Sequence, residues 1–573
     1  MKIQRILASL LAVLLLTAPL ASCGENQEPP AVTQTDAATE SEAETELRDS
    51  LPSDLDYEGD KIVFLSRERE GWTDREIWVE ELTGEPINDA VFERNKAVEE
   101  RLKVEITNVS EDSLDAYVIV NRVVNAVSAG THEYDVLAAS CWTTLGQTPR
   151  GTFANLRNSA YIDFDMPWWS EGLNDATLYK GTQFVLTGSM VLSIYRFAYA
   201  TVFNQQLFDD VGEKYPYKYV ENGTWTLDKQ ISLVPLFHRD NGNNIQDEED
   251  IYGFISTQHI SVDPYWSACE VDILTRDEND DFLLVFDSGK LHEVAEKVLT
   301  LYYGTDDSSY IWNTITYDGH MDAACDMFAD GRGAMATIRI MGLERETIRS
   351  MTDMFGIVPM PKFDETQSEY HTMLHDQFTV IAVPTTVQGD RLDEIGAVLE
   401  ALSSTAHRVV KPVYYEETLR TKIAQDPQSA AMMELIVNSL TTDSGIFYTD
   451  ALGGFQNAFR DIVKSKQNTV TSTYKKSVTI IKNRLTRMMR SLDDLAEQDC
   501  PPPSPALAGD FSFEGSLPVQ RAERGRKFFV RKKYPSRGVF RTKDVLQYDG
   551  KDAADSTRCI VRESLYDSAA LKL

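Results

Sequence analysis

The run Asp240-Asn241-Gly242-Asn243-Asn244-Ile245-Gln246-Asp247-Glu248-Glu249-Asp250 sets oxygen-bearing side chains at the spacing with which a short loop wraps calcium. Matching Asp247 and Asp250 to the late ligands puts Asn241 and Asn243 at earlier ones. Arg239 then stands where the first carboxylate belongs, and Asn244 stands where the turn needs glycine. Starting at Asp240 instead loses the third ligand to Gly242. An Asx-rich turn whose side chains bond their own backbone is the preferred reading. Calcium at Asn241, Asn243, Asp247 and Asp250 is the alternative, and no other cofactor is expected. His371 and His375 are four apart, but their surroundings read as extended chain entering a strand, so no metal is assigned to them. Gly-x-Ser-x-Gly, phosphate-loop and His-Glu-x-x-His signatures are absent; His132-Glu133 and His292-Glu293 lack the second histidine. With 90 Asp and Glu in the chain, carboxylate pairs carry no signal of their own. A glycosidase remains an alternative, because its two carboxylates need closeness in space and not in sequence.

All eight tryptophans lie between Trp72 and Trp312. Tryptophan and tyrosine offer broad apolar faces with a polar handle, the lining that clefts for small polar solutes use. Sugars stack their C–H faces on such rings while fixed polar groups take the hydroxyls. Trp225, in Gly223-Thr224-Trp225-Thr226 at a helix start, reads as core, and so do Trp168 and Trp169. Trp142, Tyr265, Trp266 and Trp312 are the cleft candidates.

The elements that must hold these residues begin with a strand at Lys61–Leu65, a helix from about Asn88 to Leu102 capped by Asn88 or Asp89, and a strand at Val104–Thr107. A helix from about Ser113 to Ala129 and a strand at Tyr134–Leu137 follow. Strand, helix, strand, helix, strand predicts a parallel sheet with right-handed crossovers. Ligands sit beyond the carboxyl ends of such strands, which places Trp142 at one. Thr182 to Asn204 is dense in strand formers and predicts a hairpin broken at Gly188. Asp287-Ser288 caps a helix bearing Leu291, Val294, Val298 and Leu301. Short strands are expected at Ala334–Ile340, Gly356–Val358 and Phe378–Val383. Beyond Asp390 the pattern is helical to about Glu497.

The N-terminus adds a different chemistry. Lys2 and Arg5 precede an apolar run from Ile6 to Leu20, and Leu20-Ala21-Ser22-Cys23 follows. This resembles the lipobox of a bacterial lipoprotein signal, in which the cysteine takes a diacylglyceryl group and becomes the new N-terminus. An ordinary secretory signal is the competing reading. Two acyl chains on Cys23 would give firm attachment, and no other stretch is long and apolar enough to span a bilayer. The protein is therefore expected outside the cytoplasm, anchored by lipid to the outer face of the bacterial cell membrane. Residues 25–53 are rich in Glu, Thr, Ala and Ser and lack aromatics. They read as a disordered tether with a root-mean-square span of about 30 Å. The net charge of −34 excludes a nucleic-acid partner. Five cysteines besides Cys23 are scattered without pairing and predict neither a disulfide framework nor zinc. After Pro501-Pro502-Pro503-Ser504-Pro505, fourteen basic and nine acidic residues make a mildly basic tail of unknown role, expected to be poorly ordered.

Several local patterns, in order, resemble the family 1 extracellular solute-binding lipoproteins, the substrate-capturing subunits of ABC importers for sugars. They are Asn88-Asp89-Ala90-Val91-Phe92-Glu93-Arg94-Asn95, Tyr134-Asp135-Val136, Pro167-Trp168-Trp169, Val202-Phe203-Asn204, Gly223-Thr224-Trp225-Thr226 and Asp250-Ile251-Tyr252-Gly253. Phe328-Ala329-Asp330-Gly331-Arg332-Gly333-Ala334-Met335, Phe355-Gly356-Ile357-Val358-Pro359-Met360-Pro361-Lys362 and Pro412-Val413-Tyr414-Tyr415 complete the series. The resemblance covers about Asp56 to Glu497. It implies an α/β fold of two lobes, a type II periplasmic-binding-protein-like clamshell with a ligand cleft between them and a helical C-terminal part. The implied division is a signal peptide at 1–22, a tether at 23–55, a first lobe at 56–190 with a return segment near 378–410, a second lobe at 191–377 with helices near 411–497, and the tail at 498–573. By position, the resemblance nominates Trp142, Tyr265, Trp266, Arg339, His375, Asp376 and Gln377 as cleft residues, Arg339 and Asp376 binding hydroxyls and the rings stacking. It implies no catalysis, a carbohydrate ligand, importer permease subunits as partners and a monomer. A glycan-hydrolysing surface lipoprotein and a ligand sensor without a transporter are the alternatives.

Overall fold

The computed structural model describes residues 47–312, 319–415, 426–441 and 443–499. Cys23, the leader, the tether to residue 46 and the tail from 500 lie outside the described residues. The described residues all belong to one compact unit.

Ile62, Phe64 and Leu65, like Val136 to Ala139, are wholly buried, which is why these runs lack the polar alternation of a strand with one wet face. They form β1 (Asp60–Arg67) and β3 (Val136–Ser140), with β2 (Val104–Glu111) on the other side of β1, all parallel. The helices Pro86–Leu102 and Tyr117–Ala129 make the crossovers. The first of them starts earlier than expected. Glu85 caps it, accepting from the Asn88 N–H at 2.7 Å, and Pro86 opens the first turn where no N–H is needed. Asn88 lies inside that turn and donates to the Glu81 carbonyl.

The chain then builds β4 (Tyr199–Asn204), β5 (Phe254–Thr257), a small hairpin β6 (Leu274–Arg276) and β7 (Phe282–Leu284), β8 (Ser309–Trp312), β9 (Met335–Arg339) and β10 (Phe355–Val358) before β11 (Thr379–Ala382) returns. The two main sheets have the orders β11-β3-β1-β2 and β10-β4-β9-β5-β8. The helix Gly289–Tyr303 starts on the Ser288 hydroxyl, which accepts from the Leu291 N–H, as its sequence predicts.

Two segments cross between the sheets side by side. Leu186 bridges to Ile381 and Ala198 to Leu374, both antiparallel. The hairpin expected across Gly188 does not form. That stretch pairs with the returning segment and with Trp169, and Ser193–Arg196 is a helical turn. Gly188 is there for close approach, because a Cβ would run into the Trp168 carbonyl oxygen. The fold is thus a mixed α/β architecture of two sheets joined by paired crossing segments, the α/β class expected from the sequence. Of the C-terminal helices, Asp390–Arg408 packs on Pro86–Leu102 and Pro427–Asn438 on β10. Val470–Asp499 packs on the turn at Thr148–Arg150 and on Asn457–Lys464. Among the described residues, no helix is long and apolar enough to cross a membrane.

Buried titratable groups give the fold a pH signature. Glu400 accepts from the indole N–H groups of Trp168 (3.1 Å) and Trp169 (2.9 Å), which fixes both tryptophans in the core. Burial pushes Glu400, Glu76 and Asp443 each up to about 7. A carboxyl raised in the folded state favours folding below its unfolded value, and that contribution disappears as pH rises through the folded one. Burial pushes His259 down to about 3 and His375 well below its usual range, so their contribution is lost only as pH falls below about 6.5. From pH 6.5 to 8 the carboxyls act alone. The melting temperature is expected to fall across that interval, and a flat or rising profile by calorimetry would contradict the assignment.

Candidate functional site

The carboxyl ends of β1 and β3 and the start of β11 meet at one edge of the first sheet. Arg67, the last residue of β1, ties them together. Its Nη1 donates to Ser140 Oγ (2.6 Å) and Gln377 Oε1 (2.9 Å), while Nε and Nη2 donate to the carbonyls of Ser113 and Leu114. Trp142 follows β3; its backbone N–H donates to the Asp376 carbonyl, and its ring meets Tyr117 edge-on at 5.1 Å. The Trp142 indole N–H has no partner among the described residues.

The facing edge of the second sheet is formed by the ends of β5, β8 and β9 and the start of β4. Arg339 ends β9 opposite Tyr199 of β4. The Tyr199 hydroxyl is buried without a partner among the described residues. Burial, with Asp263 adding to it, pushes that hydroxyl well above its usual range. An unpaired buried polar group is costly, and a ligand or ordered water is its usual remedy. His375 and Asp376 lie between the sheets on the returning segment. The His375 ring sits among Trp72, Phe197 and Tyr199, at 6.0–6.3 Å between ring centres. The Asp376 carboxylate accepts from Gln456 Nε2 at 2.6 Å, and burial raises it above its usual range.

A cavity of about 430 Å³ opens between the two edges. The loop after β1 gives it Arg69, Glu70, Trp72 and Arg75; Arg196 stands at the crossing; Arg339, Glu344 and Arg345 close it from the second sheet. The Arg69 guanidinium lies 3.8 Å and that of Arg339 4.5 Å from the centre of the Trp72 ring, within cation–π range. Arg196 donates to Glu344 (2.9 Å) and to the carbonyls of Gly71 and Trp72. It thereby clasps the loop after β1 to the second sheet. Such a site can stack an apolar face and hold polar or anionic groups.

Of the eight sequence candidates, Arg339 lines this cavity. His375 stands behind Trp72, with Asp376 and Gln377 buried beside it. Trp142 is half-buried at the β3 end. Trp312 ends β8, half-buried against Tyr310 at 5.3 Å. Tyr265 and Trp266 lie inside the packing of the second sheet. The Tyr265 hydroxyl pairs with Thr337 Oγ1 at 2.9 Å, and Trp266 packs on Phe459 at 4.2 Å. His371 bonds Glu270, well apart in role from His375. In the Asn/Asp loop, Asp240 accepts from the Gly242 and Asn244 N–H groups, Asp250 accepts from Asn241, and Asn243 donates to Asp247. Among the described residues, no three His, Cys, Asp or Glu side chains are grouped to hold a metal. Sequence reasoning missed Arg69, Trp72, Arg196 and Arg345. The available signal was the loop after the first parallel strand, to which the carboxyl-end rule applies as it does after β3.

No protein-family model matches the chain, and no curated protein matches it. Similar solved structures include an ABC substrate-binding protein from Listeria monocytogenes in complex with cycloalternan, at 13% identity, covering 76% of this chain and 99% of that one, with a TM-score of 0.47. The GacH receptor of Streptomyces glaucescens, solved unliganded and with acarbose, matches at 13% identity over 74% of this chain and 99% of that one, with a TM-score of 0.48. UgpB from Mycobacterium tuberculosis in complex with glycerophosphocholine matches at 14% identity over 76% and 100%, with a TM-score of 0.47.

Proposed function

We propose that the chain is a membrane-tethered extracellular solute-binding protein that captures a carbohydrate between its two sheets and delivers it, unchanged, to an importer permease. The observation that carries this reading is the cavity lined from both sheets at their carboxyl-terminal edges. Its volume falls in the range of small-molecule sites, roughly 300–1,000 Å³. Trp72 supplies a ring and the surrounding polar groups fix orientation. The paired crossing segments near Ala198 and Leu374 are the natural hinge, since bending there moves one sheet against the other without unfolding either. Cys23 would hold the protein at the membrane beside its permease.

A thermal-shift screen of the full chain against mono- and oligosaccharides tests capture, because a ligand that binds only the folded state raises its melting temperature. At least one sugar is expected to do so, and Trp72→Ala to lower its affinity by about tenfold or more. A wild-type protein that ignores the whole panel, or releases shortened sugar, would refute the reading. For the tether, the wild type is expected in the membrane fraction and Cys23→Ser in the soluble one; equal partitioning would remove the anchor.

A further inference from the structure

Between Asp461 and Asp493 the chain runs 31 residues without an Asp or Glu and carries eight Lys and Arg. The whole chain has 90 acids against 56 bases and a net charge of −34, so composition alone does not produce such a run. Most of it is one helix, Val470–Asp499. Ile481, Leu485, Met488 and Leu492 bury one face of that helix in the protein, each at most 4% exposed. Lys476, Ile480, Asn483, Arg487 and Arg490 recur at steps of four and three on the opposite face. All five are exposed, as are Lys475 and Lys482 beside them. From Lys475 to Arg490 this basic face is about 22 Å long.

Its shape and chemistry say what lies against it. Cations spread over such a length on a rigid helix match an extended sheet of negative charge, not a small anion. Ile480, 59% exposed, projects from among the cations, and a headgroup layer takes both kinds of group. A recess of about 450 Å³ adjoins the face, where Arg150, Arg484 and Arg487 stand against Asp450, a carboxylate already engaged by the Tyr117 hydroxyl. The guanidinium fork suits a phosphate edge. The lipobox resemblance at Cys23 puts a bilayer within reach, on a tether spanning about 30 Å. The rest of the protein carries the negative balance and is repelled by an anionic surface, so attraction at this one face also orients the protein.

We propose that the exposed face of Val470–Asp499 docks on the headgroups of an anionic phospholipid bilayer, its cations on the phosphates and Ile480 in the boundary layer. This goes beyond solute capture and stands or falls apart from it. The full chain carrying Cys23→Ser, which takes no acyl group there, is titrated with vesicles of phosphatidylcholine, pure or mixed with phosphatidylglycerol, at low and high salt. A second chain adds Lys475→Gln, Lys476→Gln, Arg487→Gln and Arg490→Gln; the leader and the tail are common to both and cancel. The parent is expected to bind the phosphatidylglycerol vesicles at least about tenfold tighter than the quadruple variant, since each cation near such a surface is worth up to about fivefold. The gap should close at high salt and be absent on pure phosphatidylcholine. All four sites are exposed, so the urea midpoint should not move. In the parent, Lys475, Lys476 and Lys482 should be acetylated several-fold more slowly on phosphatidylglycerol vesicles than free in solution. Equal affinity of the two chains, a gap that persists on pure phosphatidylcholine, or lysines that react equally fast with and without the vesicles overturns the proposal. Lysines already shielded in the vesicle-free chain and released by salt overturn it too, and give the face to the acidic stretch 25–46 of the same chain.

Discussion

Arg460→Ala is expected to remove about 3–5 kcal/mol of folding stability, read as a lower urea midpoint at unchanged slope. Arg460 lies on the helix Asn457–Lys464 and is 2% exposed. Its Nε donates to both Asp263 oxygens, at 2.9 and 3.1 Å; Nη2 donates to Asp263 Oδ2, and Nη1 to Asn457 at 3.1 Å. Truncation leaves the Asp263 carboxyl buried with its counter-charge gone and with Asp376 still pushing against it. Even in the intact pair, burial raises Asp263 to about 6 against the pull of Arg460. Without the arginine that carboxyl must rise further and hold its proton at neutral pH. A raised carboxyl stabilises the fold below its unfolded value and loses that effect as pH rises through the folded one. The deficit of Arg460→Ala relative to wild type should therefore be largest near pH 8 and shrink towards pH 5. Replacing both partners with apolar residues of similar volume is expected to cost less than the single truncation, because the penalty is mostly that of an orphaned buried charge. A single variant within about 1 kcal/mol of wild type at all pH values would mean that Asp263 is solvated in solution and the pair is no buried lock.

The pair matters for function because three segments meet at it: the turn at Asp263, the helix Asn457–Lys464 that carries Arg460 and is preceded by Gln456, and the returning segment carrying Asp376. None of this was legible in the sequence, where Asp263 and Arg460 stand 197 residues apart. What was legible is local or periodic. The strand expected at Tyr134–Leu137 forms two residues later, at Val136–Ser140, where the apolar run is continuous and buried, and Ser288 reads as a cap because its hydroxyl serves a donor three residues away. The Gly188 hairpin failed because strand formers declare extended chain but not its pairing partner, which here is the returning segment. The cavity failed for a related reason. Its residues come from 69–75, 196, 325 and 339–345, and no spacing rule joins them. The carboxyl-end rule reaches one wall at a time; applied after β3 it gives Trp142, and applied after β1 it gives Arg69 and Trp72. Residue type is no guide either, since tryptophan suits a cleft and a core equally well.

Trp266 and Trp72 make that last point testable. Trp266→Ala is expected to cost about 3–5 kcal/mol of stability, the range for truncating a large buried aromatic. The indole is 2% exposed and is held at 4.2 Å from Phe459 and 5.9 Å from Phe286, so its removal leaves a void that rigid neighbours fill only in part. Its contacts run between the same two elements as the Asp263–Arg460 pair: Trp266 is three residues beyond Asp263, and Phe459 precedes Arg460. Trp266→Ala and Arg460→Ala should therefore not add. A coupling of roughly 0.5–3 kcal/mol is expected in the double variant, since the first substitution already loosens the packing that makes the second costly. Trp72 is half-buried on the cavity wall, and its replacement by alanine is expected to spare the unfolding midpoint to within about 1 kcal/mol while weakening capture. The two variants should thus separate cleanly, one in stability and the other in affinity. If Trp266→Ala instead kept its midpoint and lost the ligand, the second sheet would have to open far enough in solution to expose that indole, and the binding surface would extend from Trp72 to Trp266.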